Sequence, residues 1–379
     1  MNKNIKRIGI DARFYGPVGK GLGRYTQEIT DNIVKLDRES EYVIFLRREN
    51  FNDFKTANPK VKKVLADVAW YGWAEQILLP YYIWRERLDL MHFPHFNVPL
   101  ACPIKFVVTI HDLILIRYPT IRATTLGPLK YKLKNLAYKI VIGAAIKRAR
   151  KILAVSEFTK RDIIKQFGVA ADKVVVTYEG VTQLPNPSFP RPLVLATSGK
   201  ESGNYPYLLY VGNAYPHKNL ESLIKVFSRI KKNKPELNLI LVGKDDYFYA
   251  RLKKFAVRYD NVIFPGYLPD GELAELYANA LAYVFPSFYE GFGLPPLEAM
   301  ARGLPVASSD RSCLPEILGQ AALYFNPDDP EDMKNKILKI ISDENLRADL
   351  RNRGQAQIKK YSWTECAEQT LEVYREILK

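Results

Sequence analysis

Short apolar or β-branched runs alternate with stretches of helical period along almost the whole chain. In the first half RIGIDA, YVIFLR, LDLMHF, KFVVTI, KILAVS and KVVVTY read as strands. The spacing predicts helices over Leu22–Leu36, Ala74–Arg85, Gly127–Arg148 and Glu157–Phe167, the last with Ser156 as its N-cap. In the second half YLLYVG, NLILVG, VIFPG, LAYVFPS and PVASS read as strands, with helices over Leu220–Lys232, Tyr247–Arg258, Glu272–Ala280 and Pro296–Arg302. A final helix, Trp363–Leu378, follows a break at Tyr361-Ser362. Strand and helix in such alternation imply parallel sheets built from βαβ units, an α/β fold. A proline-rich stretch from Gln183 to Pro206 separates the halves and reads as a linker. The expectation is therefore two Rossmann-like domains, residues 1–190 and 205–360, facing each other across a cleft.

Parallel sheets of this kind bind ligands at the carboxyl ends of their strands, so the segments after each run carry the chemistry. The most informative is SFYEGFGLPPLEAMARG, Ser287 to Gly303. Glu290 and Glu298 are separated by seven residues that include Gly291, Gly293 and the adjacent Pro295 and Pro296. The prolines suit a first helical turn, where a missing N–H costs nothing. Glycines let backbone N–H groups crowd an anion at the positive helix end. The two acids accept hydroxyl hydrogen bonds on either side. A phosphate flanked by polyols points to a sugar nucleotide.

Other strand ends add candidates. Strand RIGIDA leads into a glycine-rich loop in which Gly21 and Gly23 open the next helix, with Arg13, Lys20 and Arg24 nearby. Those N–H groups could meet a phosphate, or the glycines could serve turn geometry alone. Strand KFVVTI ends in His111-Asp112, while His92 and His95 lie on LMHFPHFN. Their irregular spacing, with no HExxH helix, argues against a metal. Strand YLLYVG is followed by Asn213, Lys218 and Asn219, the last a candidate helix cap. A lysine beside a positive helix end is unfavourable unless an anion joins them, which makes Lys218 a diphosphate partner. Gly266, Tyr267 and Leu268 follow VIFPG and either border a nucleobase or form an ordinary strand-to-helix turn.

Charge changes the picture in one respect. The net charge of +15 falls almost wholly on the first half: residues 1–190 hold 31 Lys and Arg against 17 Asp and Glu, the remainder 25 against 24. Much of the excess lies in Gly127–Lys151, where Leu129, Leu133, Leu136, Ile140 and Ala144 continue from Leu126 at helical spacing among lysines. That segment is either an ordinary core helix with a solvated basic face or a surface for anionic lipid headgroups. Nucleic acid is not an expected partner, since no recognised reader motif appears. No run approaches the length of a membrane span, and the charged N-terminus lacks a signal-peptide core. Cys102, Cys313 and Cys366 have no metal-ligand spacing and fit a reducing cytoplasm as small buried hydrophobes.

Taken together GIDAR, GLGRYT, TIHDL, AVSEFTKRDI, YVGNAYPHKNL, FPGYLPDGEL, PSFYEGFGLPPLEAMARGLPV and LPEILGQAALYF resemble the retaining glycosyltransferases of family four, nearly end to end. The resemblance implies the glycosyltransferase-B fold, with helix 363–378 packing back on the first domain. It implies that Glu290 contacts hydroxyls of the donor hexose and Glu298 the ribose. Phe292, Gly293 and Leu294 offer N–H groups to the diphosphate or sugar, and Lys218 neutralises it. Gly21 approaches from the other domain, and His111 touches the transferred sugar. Many members place an arginine where this chain has Asn213, so either another cation such as Arg13 or Lys20 compensates or donor affinity is lower. The chain has no Asp-x-Asp, which argues against the metal-dependent type; no metal and no other cofactor is expected. By analogy the donor is a nucleoside-diphosphate hexose, GDP-mannose first and UDP-glucose still open. The acceptor is a cell-surface glycan or polyprenyl-linked saccharide, met in the cytoplasm or on the inner membrane face. A sugar-nucleotide epimerase and a catalytically silent membrane-surface binding module are the alternative readings.

Overall fold

The computed structural model describes residues 5–17, 20–120, 127–181 and 206–379. Nearly all of the expected linker, from Gln183 to Tyr205, lies outside the described residues. The chain divides into two compact units, one of Met1–Arg117, Gly127–Gly180 and Ser362–Lys379, the other of Tyr118–Leu126 and Val181–Tyr361.

The first unit carries seven parallel strands, β1 (Arg7–Asp11), β2 (Glu41–Leu46), β3 (Val61–Leu65), β4 (Leu90–Phe93), β5 (Phe106–Ile110), β6 (Lys151–Ala154) and β7 (Val174–Val176). Their order across the sheet is β3-β2-β1-β4-β5-β6-β7. The apolar runs become strands because helices cover both faces of the sheet. On one face Phe45, Met91, Phe93 and Val108 pack against Leu79 and Ile83 of α2 (Trp73–Arg85) and Ile142 and Ile146 of α4 (Pro128–Arg148). On the other, Ile8, Ile10, Ile44 and Leu153 meet Tyr25, Ile29 and Ile33 of α1 (Lys20–Leu36). The short α3 (Ile114–Arg117) and α5 (Glu157–Phe167) complete the helices of this stretch, α5 capped by the Ser156 hydroxyl accepting from Thr159 N–H. Strand β3 has no apolar run to announce it: in VKKVL only Val64 is buried, and Lys62 and Lys63 face outward on an edge.

The second unit has six parallel strands in the order β10-β9-β8-β11-β12-β13. They are β8 (Tyr207–Val211), β9 (Asn238–Val242), β10 (Val262–Gly266), β11 (Ala282–Phe285), β12 (Val306–Ser309) and β13 (Ala322–Phe325). Its helices are α6 (Leu220–Lys231), α7 (Tyr247–Ala256), α8 (Asp270–Asn279), α9 (Leu294–Ala301), α10 (Leu314–Leu318), α11 (Pro330–Ser342) and α12 (Glu344–Ile358). The last helix, α13 (Trp363–Leu378), starts at the Ser362 cap and belongs to the first unit. It packs on α1 and sends Trp363, Cys366, Leu371 and Tyr374 into that core. In both sheets the strand order reverses beside the first strand, between β1 and β4 and between β8 and β11. Chains leaving those strands turn to opposite faces, and a crevice opens at their carboxyl ends.

Three expectations need correction. Asn219 does not cap α6: it sits at φ 59° with no capping hydrogen bond, and its amide donates to Pro327 O at 3.2 Å. Helix α1 begins at Lys20 rather than Leu22, so Gly21 and Gly23 lie inside its first turn. The leucine stripe of α4 is not a core face. Leu129, Leu133, Leu136 and Ile140 are exposed, and the buried side is Tyr138, Ile142, Ala145 and Ile146.

Candidate functional site

In the second unit Lys218 and Glu290 come together at the reversal point. Lys218 ends the short 3-10 turn after β8, and Glu290 lies in the loop after β11. The ladder between β8 and β11 pairs Leu208 with Ala282 and Leu209 with Tyr283. Beyond it the Tyr283 hydroxyl takes over, donating to Val211 O at 3.0 Å and accepting from Val211 N–H at 3.3 Å. The backbone N–H and C=O of Val211 are thus satisfied where the two strands part. Lys218 Nζ donates to both carboxylate oxygens of Glu290, at 2.6 and 2.8 Å. Both side chains are nearly buried, so the pair feels a low dielectric and each charge depends on the other. The Glu290 N–H donates to Ser312 Oγ at 3.0 Å, which fixes the acid's backbone.

The glycines after Glu290 have separate reasons. Gly293 adopts φ 96°, a left-handed conformation, and a Cβ there would lie 3.0 Å from Leu314. It is the N-cap of α9 and supplies no side-chain cap. Pro295 and Pro296 bring no N–H, so the donors at this helix end come from the loop and from Leu294. The helix thus begins two residues earlier than its prolines suggest, at Leu294. Phe292 is buried against the edge of Tyr361, with ring centroids 5.4 Å apart. Glu298, on α9, is half-buried and close enough to Tyr283 that its charge helps raise the phenol above its ordinary value, after burial.

The neighbouring strand ends hold the weaker candidates. Gly212 has φ 154°, and a Cβ there would lie 2.8 Å from the Tyr210 hydroxyl. Asn213 turns into its own loop: its side-chain oxygen accepts from Tyr215 N–H at 3.4 Å, and its carbonyl accepts from Tyr210 at 2.8 Å. Gly266, at φ 84°, ends β10 and leaves Tyr267 exposed with Leu268 half-buried behind it. Asn213 has no compensation from Arg13. That guanidinium is fully buried in the first unit, bonded to Asp11 through Nε and Nη2 at 2.7 Å each and to Glu75 at 2.6 Å. Nothing is described of the Lys20 side chain.

In the first unit His111 follows β5 and stands edge-on to the Tyr25 ring. Its Nδ1 lies 3.0 Å from Glu179 and its Nε2 2.9 Å from Pro94 O. A carboxylate on one side and a backbone carbonyl on the other favour the doubly protonated ring. Burial opposes the charge, but the Glu179 bond and charge, the Pro94 carbonyl and Asp112 outweigh it and raise the histidine's pKa. Glu179, which the sequence reading passed over, is buried in the segment after β7 and brought to His111 only by the sheet. His92 is structural: it is buried between Thr109, at 2.9 Å, and the Tyr374 hydroxyl of α13, at 2.6 Å. Burial and the His111 charge push its pKa down to about 3. His95 pairs with the Tyr71 hydroxyl at 2.9 Å. The three histidines thus have separate partners, and among the described residues no His, Cys, Asp or Glu group is arranged to hold a metal.

The two glycines of α1 differ sharply. A Cβ on Gly23 would lie 2.0 Å from Gly16 O and 2.7 Å from Phe14 O, so Gly23 is required by close packing of helix on loop. A Cβ on Gly21 would meet nothing within 4 Å, and its backbone is open.

Comparison with known proteins places this architecture. The family described as Glycosyl transferases group 1 matches residues 196–357, and Glycosyltransferase Family 4 matches residues 19–182. O-antigen chain mannosyltransferase B of Escherichia coli is 30% identical over 374 residues, covering 94% of this chain and 96% of its own. The chain belongs to the group 1 glycosyltransferases. A second relative of this glycosyltransferase, O-antigen chain mannosyltransferase RfbU of Salmonella typhimurium, is 35% identical over 270 residues, 69% of this chain and 70% of its own. Solved structures share the fold at low identity. Sucrose-phosphate synthase from Thermosynechococcus elongatus has a TM-score of 0.73 at 19% identity, covering 98% of this chain and 99% of its own. WaaG, a glycosyltransferase involved in lipopolysaccharide biosynthesis, has a TM-score of 0.71 at 16%, covering 97% and 99%. The enzyme is a hexosyltransferase with the glycosyltransferase-B fold, its two parallel sheets being the two Rossmann-like domains.

Proposed function

We propose that this glycosyltransferase moves mannose from GDP-mannose, with retention at the anomeric carbon and without a metal, to a glycan or polyprenyl-linked saccharide. The observation that carries the reading is the Lys218–Glu290 pair at the crevice between β8 and β11. The mannose assignment is supported by the relatives named as O-antigen chain mannosyltransferases. Lys218, shared between Glu290 and an arriving diphosphate, stabilises the charge that grows as the nucleotide leaves. The Gly291–Leu294 loop adds backbone donors at the positive end of α9. Glu290 is positioned to take hexose hydroxyls, Glu298 the ribose, and Tyr267 and Leu268 the base. His111 and the open backbone at Gly21 are the first unit's own candidates for contacts to a sugar. The leaving phosphate accepts the proton of the attacking hydroxyl, which needs no protein base. That suits a His111 ring whose two nitrogens are already taken up by Glu179 and the Pro94 carbonyl. The basic α4, with Lys130, Lys132, Lys134, Lys139, Lys147 and Arg148 and no acid, is the surface for an anionic membrane carrying the acceptor.

A thermal-shift screen of nucleotides and sugar nucleotides tests the donor: GDP and GDP-mannose are expected to raise the melting temperature, UDP-glucose not. Transfer to a mannose-terminated acceptor should survive EDTA and give the α-anomer. A response to uridine nucleotides alone, or loss of transfer restored by a divalent ion, overturns the corresponding part.

A further inference from the structure

The outward face of α2 is as apolar as a core face. Trp73, Ile77, Tyr81 and Trp84 fall within one side of the helix, opposite the buried Leu79 and Ile83. They are 87%, 69%, 51% and 66% exposed. This stripe is not the loose end of a mobile element. Glu75 in the first turn of α2 is buried and bonded to Arg13, to Asn97 at 2.6 Å and to Tyr71 N–H at 2.9 Å. Helix α4 lies on the same sheet face and presents its own outward ridge of Leu129, Leu133, Leu136 and Ile140, flanked by lysines. One segment ties the two helices: Gln76 of α2 accepts from Leu100 N–H at 2.9 Å, while Arg148 of α4 donates to Leu100 O and to Cys102 O at 2.9 Å. Leu100 between them is 45% exposed.

We infer that α2 and α4 form one membrane-docking surface, in which the α2 tryptophans enter the interface of an anionic bilayer while the α4 lysines meet its headgroups. The chemistry favours a lipid surface over a protein partner. An apolar ridge bordered by cations, with no acid on α4, complements a layer that is anionic outside and hydrocarbon beneath. Tryptophan is the side chain that settles at that boundary, having an apolar body and one N–H to leave in the wet layer. No described helix is long and apolar enough to span the bilayer, so docking is lateral. The inference rests on the membrane reading of α4 given above and adds the hydrophobic anchor to it.

Intrinsic fluorescence of the full chain tests it. Of the four tryptophans, Trp363 is in the core and Trp70 is stacked on Phe14 at 4.3 Å, so Trp73 and Trp84 report on the stripe. With phosphatidylglycerol–phosphatidylcholine vesicles the emission should shift to the blue and be quenched by lipids brominated along the chain. The Trp73→Ser/Trp84→Ser variant should bind those vesicles about tenfold or more weakly, with its nucleotide-induced thermal shift unchanged. Binding without blue shift or quenching overturns the anchor and leaves the electrostatic reading of α4 standing. No binding to anionic vesicles overturns both. A blue shift on concentration without lipid, accompanied by dimers in sedimentation, gives the stripe to a second copy and overturns the inference.

Discussion

At the scale of single residues, the donor-side chemistry reduces to one shared cation. Replacing Lys218 by alanine leaves Glu290 as an uncompensated, nearly buried carboxylate, so two losses are expected together. Stability should fall by about 3–5 kcal/mol, read from the denaturant midpoint. Transfer should fall by about 10²–10³ in kcat. The Lys218→Met/Glu290→Gln double variant separates them, recovering most of the stability and none of the activity. His111 gives a pH signature. Its folded pKa is raised above the ordinary 6.5, so the stability from its pairing is full below that value. That contribution disappears as pH rises through the folded value. Melting temperature against pH should show this decline in the parent and a flatter profile in Glu179→Gln. Of these residues, Lys218, Glu290 and His111 were legible because strand-glycine-helix grammar marks the carboxyl ends of strands. Glu179 and Ser312 were not, since each lies in an ordinary-looking segment and gains its role only by meeting a distant partner.

Elements show where pattern reading succeeds and where it stops. A buried parallel strand is apolar on both faces, and eleven runs announced themselves, while two edge strands did not: β3 with its paired lysines and the short β13. Helical spacing located α4 but not its orientation, because a stripe of leucines looks the same whether it meets a sheet or a membrane. The glycines of α1 carry a contrast that sequence cannot draw. Gly23→Ala should cost about 1–3 kcal/mol through overlap with Gly16 and Phe14, lowering the melting temperature. Gly21→Ala should be neutral or stabilising by up to about 1 kcal/mol, with any loss confined to donor turnover. Helix α13 is a keystone for the first unit. Tyr374→Phe removes the buried partner of His92 and should cost about 1–3 kcal/mol in denaturant unfolding.

For the whole molecule, each sheet carries the same strand reversal, and the net positive charge falls almost wholly on the first half of the sequence. The excess of cations on the first half predicts that transfer to a polyprenyl-linked acceptor in anionic vesicles weakens steeply as salt rises. Transfer to a short water-soluble acceptor should hardly change. Equal salt sensitivity for both substrates would remove the membrane from the explanation.

Periodicity and glycine-proline grammar act over a few residues, so the α/β class, most of the strands and helices and the motif around Glu290 were readable from the chain alone. It also carried the family, through motifs spread along both halves. Three-dimensional packing was needed to learn that Arg13 is spent on Asp11 and Glu75, that Lys218 meets Glu290, and that the apolar faces of α2 and α4 point outward. Those facts depend on which distant segments the sheets bring within a few ångströms, and burial and charge pairing exist only between such neighbours.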